Sequence, residues 1–96
     1  MQKKQAETLG DILQEYLRAI GADKKIKEMH AMDAWDNIVG KTIARDTLDI
    51  NIKNGILTVK FRSPLIRNEV SMHKTVIIQR MNEAVGEKII SQMKVL

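Results

Sequence analysis

The sequence predicts one small α+β domain in which helices cover one face of a short β-sheet. Apolar residues recur at helical spacing before and after a central segment, and within that segment they alternate with polar residues. A chain of 96 residues, 44% of them hydrophobic, can bury one modest core. The predicted order is three helices, a two-stranded hairpin, a long helix and a final strand, packed in two layers. Residues 1–96 are expected to form a single domain, with residues 1–6 flexible.

The first helix is predicted from a stripe of apolar residues that ends near Gly21. The spacing i, i+3, i+4, i+7 places these residues on one side of a helix, and that side is expected to face the core. Thr8 and Asp11 resemble a capping box, and Gly21 suits a left-handed stop. The stripe consists of Leu9, Ile12, Leu13, Tyr16, Leu17 and Ile20.

Two further helices are predicted before the central segment. Asp23 is a suitable N-cap for a short second helix over residues 24–30. Asp33 can cap a third helix, which places Trp35 in the core. Gly40 weakens the middle of that helix by about 1 kcal/mol relative to Ala, so it marks either close packing or a bend.

The central segment predicts a β-hairpin. Asn54-Gly55 is the pair best suited to the positive φ angles of a two-residue type I′ turn. Counting outwards from this turn places apolar pairs on one face and polar pairs on the other. The apolar pairs are Ile52 with Leu57, Ile50 with Val59 and Leu48 with Phe61, and the polar pairs are Asn51 with Thr58, Asp49 with Lys60 and Thr47 with Arg62.

A long helix and a strand are predicted after the hairpin. Ser63-Pro64 combines an N-cap with a proline at the first helical position, so the helix should begin there. Residues 88–96 are rich in β-branched and apolar side chains and are predicted to form a third strand. The apolar stripe of the helix consists of Ile66, Val70, Ile77, Met81 and Val85, and the helix should end near Gly86.

The residue types give little support for catalysis. The chain has no cysteine, and therefore no thiolate nucleophile, disulfide or cysteine-based zinc site. His30 and His73 are not an i, i+4 pair, and His73 is expected to be a partly buried packing residue. The five glycines are scattered and form no phosphate-binding loop. We predict no enzymatic activity, no metal and no cofactor.

The N-terminal residues carry no export signal, and no apolar run approaches the length of a membrane span. These observations predict a cytoplasmic protein without a membrane partner.

Basic side chains are the main candidates for a binding surface. The 16 Lys and Arg exceed the 12 Asp and Glu by four, which permits a nucleic-acid partner without requiring one. The outer hairpin face and one edge of the long helix are expected to form a surface that contacts phosphates without reading bases. The alternative is an ordinary solvated surface. The candidate residues are Lys53, Lys60, Arg62, Arg67 and Lys74, with Lys24, Lys25 and Lys27 as a second cluster, while the aromatic residues Tyr16, Trp35 and Phe61 are expected in the core.

Three segments resemble the DciA family of bacterial proteins. They are AWDNIVGKTIA at residues 34–44, NGILTV at 54–59 and LIRNEV at 65–70. The likeness runs from about Leu9 to the C-terminus and is closest to the short, single-domain form of Bacteroidetes-type bacteria.

The resemblance implies a KH-like fold and an accessory role in bringing the DnaB-type replicative helicase onto DNA. It implies contacts with the helicase and weak contacts with single- or double-stranded DNA, without ATPase activity. The sequence lacks both the basic tail of better-understood members and the Gly-x-x-Gly loop of ordinary KH domains, so DNA binding is expected to use surface charge. A protein-interaction or dimerisation module with no nucleic-acid role and a weak RNA-binding accessory remain alternatives, and the oligomeric state, a homo-oligomer included, stays open.

Overall fold

A computed structural model describes the backbone of residues 2–96 and the side chains of residues 9–96. The side chains of residues 1–8 lie outside this description, and the flexibility expected of residues 1–6 stays a prediction. The elements are α1 (Gln2–Ala19), α2 (Ala22–Asp33), α3 (Trp35–Val39), α4 (Lys41–Asp46), β1 (Thr47–Lys53), β2 (Ile56–Phe61), α5 (Pro64–Ser71), α6 (Lys74–Val85) and β3 (Gln92–Val95).

The three strands form a mixed sheet in the order β1-β2-β3. β1 and β2 are antiparallel and are joined at Asn54 and Gly55, whose φ angles of 53° and 77° confirm the type I′ turn. β3 runs parallel to β2, so the chain crosses back between them through α5 and α6. The predicted two-layer α+β fold is confirmed.

The hairpin register is the predicted one near the turn and differs at its outer end. Ile52 pairs with Leu57 and Ile50 with Val59, but Phe61 pairs with Thr47 because a bulge lies between Thr47 and Asp49. The predicted pairing of Leu48 with Phe61 and of Thr47 with Arg62 is therefore wrong. Leu48 is 49% exposed.

Thr47 gives a physical reason for the bulge. Its hydroxyl accepts a hydrogen bond from Trp35 Nε1 at 3.0 Å and donates one to the Ile43 carbonyl oxygen at 2.8 Å. These bonds hold Thr47 against the helical layer, and Leu48 turns away from it.

One core lies between the inner face of the sheet and the helices. Trp35 is 2% exposed and Phe61 is 4% exposed, with their ring centroids 6.3 Å apart, so both predicted core positions are confirmed. The buried apolar residues are Ala31, Trp35, Ile52, Leu57, Val59, Phe61, Val70, Ile77, Met81, Ile90 and Met93.

Two predicted helices are each divided into two. Gly40, with φ 87° and ψ 166°, separates α3 from α4. A side chain there would meet no atom within 4 Å, so this glycine marks a bend and not close packing.

The second division lies at Met72 and His73, between α5 and α6. Their N–H groups donate to carbonyl oxygens three residues earlier, at 3.2 and 3.0 Å, which tightens the last turn of α5. His73 is exposed, contrary to the prediction, and its Nε2 lies 3.6 Å from Glu69 Oε1.

Helix α1 differs most from its prediction. Its apolar stripe does not enter the core: Leu9, Ile12, Leu13, Tyr16 and Ile20 are 58–70% exposed. The helix begins at Gln2, well before the predicted capping box at Thr8, and ends at Ala19, and the φ of 75° at Gly21 confirms the left-handed stop. Gly21 is also the N-cap of α2, a position predicted for Asp23. The molecule measures 58 × 22 × 20 Å.

The segment between α6 and β3 is held by Asn82, for which no pattern in the sequence predicted a role. Asn82 Nδ2 donates to the Ile90 carbonyl oxygen at 3.0 Å, and its Oδ1 accepts from the N–H groups of Ile89 and Ile90 at 3.1 and 2.9 Å. The Gly55 carbonyl oxygen then accepts from the N–H groups of Ser91 and Gln92. The hairpin turn is thereby hydrogen-bonded to the chain at the start of β3.

Within residues 2–96, no helix has the length and apolar character needed to cross a bilayer.

Candidate nucleic-acid interface

The outer face of the sheet carries exposed lysines on all three strands. The buried core residues of the strands point inwards, so Lys53 and Lys60 point away from the helices, as predicted. Lys94 on β3 pairs with Thr58 and is exposed on the same face. Sequence reasoning missed Lys94, because it predicted the third strand without its register. The only local signal is that Lys94 directly follows the apolar Met93.

The outer-face lysines are spread out along the strands. Lys60 pairs with Asp49, four residues along β1 from Lys53, and this spacing separates the two lysines by about 13 Å. The register places Asp49 opposite Lys60, but no ion pair joins these two side chains within 4 Å. The face has a positive excess but no concentrated site.

The three remaining predicted residues lie outside the sheet. Arg62 is exposed directly after β2, Arg67 is half-buried on α5, and Lys74 is half-buried as the first residue of α6. The prediction that Arg67 and Lys74 follow one edge of a single helix is wrong, because α5 ends at Ser71. Their role in nucleic-acid binding stays a prediction.

A more concentrated positive region lies between the start of α2 and β1, which is an edge strand of the sheet. A cleft of about 490 Å³ there brings Lys53 together with Lys24 and Lys25, two members of the second predicted cluster. All three lysines are exposed, whereas Glu28 is only 8% exposed. Three lysines against one carboxylate leave an excess of two positive charges. We call this region the basic cleft; its lining consists of Gly21, Lys24, Lys25, Glu28, Asn51, Ile52, Lys53 and Asn54.

A second opening of about 570 Å³ adjoins the basic cleft and shares Lys24 and Asn54 with it. It adds three cations, two of which are paired: Arg18 Nε lies 3.8 Å from Asp23 Oδ2, and Lys27 Nζ lies 2.8 Å from Glu87 Oε2. Lys88 has no such partner among residues 9–96. The positive region therefore continues past the hairpin turn to Lys88.

The lining of the basic cleft determines what it can bind. Lysine ammonium groups attract phosphates as point charges and carry no base-reading geometry. The lining contains no aromatic side chain on which a base could stack, since Trp35 and Phe61 are buried in the core. This chemistry suits a phosphate backbone bound without sequence preference.

Comparisons with known proteins give two matches. A family model described as "Dna[CI] antecedent, DciA" matches residues 8–95, a range that includes every residue of the basic cleft. A "UPF0232 protein" of Mycolicibacterium paratuberculosis (strain ATCC BAA-968 / K-10) is 21% identical over 89 residues, covering 93% of this chain and 49% of that protein. The chain thus spans about half the length of this curated relative.

Proposed function

Because the chain belongs to the DciA family, which is a replication accessory family associated with DnaB helicase loading, we propose that it is a non-enzymatic accessory protein of DNA replication. It contacts a DnaB-type helicase and binds DNA weakly, without sequence preference. The family match over residues 8–95 supports the helicase partner. The basic cleft is the observation that supports DNA binding.

The phosphate backbone enters the basic cleft beside Lys24, Lys25 and Lys53 and continues toward Lys88. Because the side chains of Lys60 and Lys94 lie on the adjoining sheet face, they add longer-range attraction for the same strand of DNA. Arg62, Arg67 and Lys74 are retained as outlying contacts. The absence of a Gly-x-x-Gly segment from the sequence leaves charge as the main source of affinity.

A salt titration tests the DNA contacts. If three to five side chains neutralise phosphates, log affinity should fall against log salt with a slope of roughly −2 to −4 on single- and double-stranded oligonucleotides. The double variant K24E/K53E should weaken binding and flatten the slope by one or two units. The variant K60E/R62E changes the net charge by the same amount outside the cleft and should have the smaller effect.

A larger effect of K60E/R62E than of K24E/K53E would place the DNA site at the end of the hairpin that lies away from its turn. No binding by the parent at about 20 mM salt, where screening is weak, would remove the DNA half of the proposal and favour an interaction module without a nucleic-acid role. RNA of the same lengths serves as a competitor, and a clear preference for RNA would contradict a DNA role.

The helicase contact is tested separately, by isothermal titration of the full chain into the replicative helicase of the same organism. Saturable binding in the absence of DNA is the expected result. The K24E/K53E variant should retain it if helicase and DNA use different surfaces. Failure of the parent to bind would overturn the helicase half of the proposal.

A further inference from the structure

Helix α1 presents an uncovered apolar stripe that the proposed function does not use. Leu9 is 70% exposed and Tyr16 is 61% exposed, while Leu17 alone in the stripe is half-buried. The contacts of α1 with the rest of the domain are made chiefly to α2. Most of the stability of a helix in a protein comes from the packing of its apolar face, so the stability of α1 depends on something that covers this stripe.

The exposed area is large for a monomer. Five side chains that are 58–70% exposed leave roughly 600 Å² uncovered, at the upper end of the largest apolar patch on ordinary monomers. Two such stripes packed together would bury about 1,200 Å², the lower limit of a specific protein interface. The stripe is therefore sufficient for a weak dimer.

The stripe is also complementary to itself. Its spacing is unchanged when the order is reversed about the midpoint between Gln14 and Glu15. Two antiparallel copies of α1 aligned at this midpoint form the pairs Leu9 with Ile20, Ile12 with Leu17 and Leu13 with Tyr16, each made twice. Such a reciprocal contact is what a two-fold dimer interface requires.

The charges of α1 do not oppose this pairing. Asp11 and Arg18 are seven residues apart, which places them together on the side opposite the stripe. Glu15 at the border of the stripe faces Gln14 of the other copy in this alignment. No like charges are brought together.

We infer that the stripe of α1 is a dimerisation surface, and that its occupant is a second copy of this chain, packed antiparallel. No residue that lines the basic cleft belongs to the stripe, because the lining begins at Gly21. The dimer would thus offer two DNA-binding clefts at once, although its existence does not rest on the proposed function.

Sedimentation of the full chain tests the inference. We expect dimers to be detected in equilibrium with monomers when the protein concentration is raised to about 100 µM, since an interface of this size is at the weak end of specific contacts. L13E should abolish the dimer without unfolding the domain, because Leu13 is 59% exposed. R18Q changes the net charge by the same amount on the side of α1 opposite the stripe and should leave the equilibrium unchanged.

Cysteine cross-linking tests the orientation, since the parent has no cysteine. L9C/I20C should form disulfide-linked dimers under mild oxidation, whereas L9C alone should not, because residue 9 of each copy lies about 16 Å from residue 9 of the other in the antiparallel alignment. Efficient cross-linking of L9C alone would show a parallel pair and overturn the arrangement. A parent that stays monomeric at about 100 µM would overturn self-association and assign the stripe to a different protein, with the helicase as the first to be tested.

Discussion

Helix α1 and the β1–β2 hairpin both carry apolar residues at regular spacing, the first with a helical period and the second with strict alternation. In the hairpin, Ile52, Leu57 and Val59 are buried. In α1, Leu9 and Leu13 are mostly exposed. A period therefore identifies which side of an element is apolar, but whether that side is covered depends on where the chain places its neighbours. The inner face of the hairpin is covered by the crossover through α5 and α6, which brings the chain back to the sheet. In contrast, α1 ends before Gly21 and the chain continues into α2.

The largest effect expected from this difference comes from two of the three aromatic residues that were predicted to lie in the core. Trp35→Ala should cost about 3–5 kcal/mol, because it empties a 2%-exposed site and also removes the hydrogen bond to Thr47. Tyr16→Ala should cost less than about 0.5 kcal/mol in dilute, monomeric protein. Urea denaturation measures both variants. A cost of 2 kcal/mol or more for Tyr16→Ala would mean that α1 packs on the domain.

Substitution of Asn82 tests what holds the segment between α6 and β3 in place. Asn82→Ala should cost about 2–3 kcal/mol, because the backbone groups of Ile89 and Ile90 lose their partners in a part-buried setting. Gln79→Ala is the control: it removes only an exposed hydrogen bond to Glu83 and should change stability by less than about 0.5 kcal/mol. Equal effects of the two variants in urea denaturation would contradict the anchoring role of Asn82.

Two glycines extend the contrast between α1 and the hairpin to the backbone. Gly55→Ala should cost about 1–2 kcal/mol, because Gly55 has a positive φ and its new Cβ would lie 3.1 Å from Ser91 Oγ. Gly10→Ala should instead stabilise by about 0.5–1 kcal/mol, since Gly10 is inside α1 and an added Cβ would meet nothing within 4 Å. Opposite shifts in Tm, about 4–8 °C per kcal/mol, are expected. Shifts of the same sign would refute this contrast.

The smallest effect concerns the bulge. Leu48→Ala should change the free energy of unfolding by less than about 0.5 kcal/mol, because Leu48 is 49% exposed. In the regular register predicted from the alternation, Leu48 would instead face Phe61 in the core, and the substitution would cost about 2–5 kcal/mol. Chemical denaturation of this one variant decides between the two registers.

Much of the fold could be predicted from local patterns. Asn54-Gly55 sets the turn and hence the register of the pairs beside it, because both depend on backbone geometry within a few residues. The bulge could not be predicted by counting, since it depends on hydrogen bonds between Thr47 and residues of α3 and α4. The break between α5 and α6 left a weak signal: polar His73 and Lys74 stand where the stripe after Val70 should have continued.

The candidate site was less predictable, for a related reason. Lys53 was identified from its own strand, and Lys24 and Lys25 only as a run of charge. Their meeting in the basic cleft depends on α2 lying along β1, which no periodicity encodes. Lys94 was missed in the same way, because its neighbours on β2 are remote in sequence.

The Gly55 carbonyl oxygen, which receives the N–H groups of Ser91 and Gln92, has a consequence for the order of folding. The hairpin closes a two-residue turn, whereas the contact between Gly55 and Ser91 spans 36 residues and carries a larger loop-closure entropy. The turn should therefore be formed in the transition state, and β3 should dock after it. Changes at Asn82 would then mainly accelerate unfolding, while changes at Gly55 would slow folding.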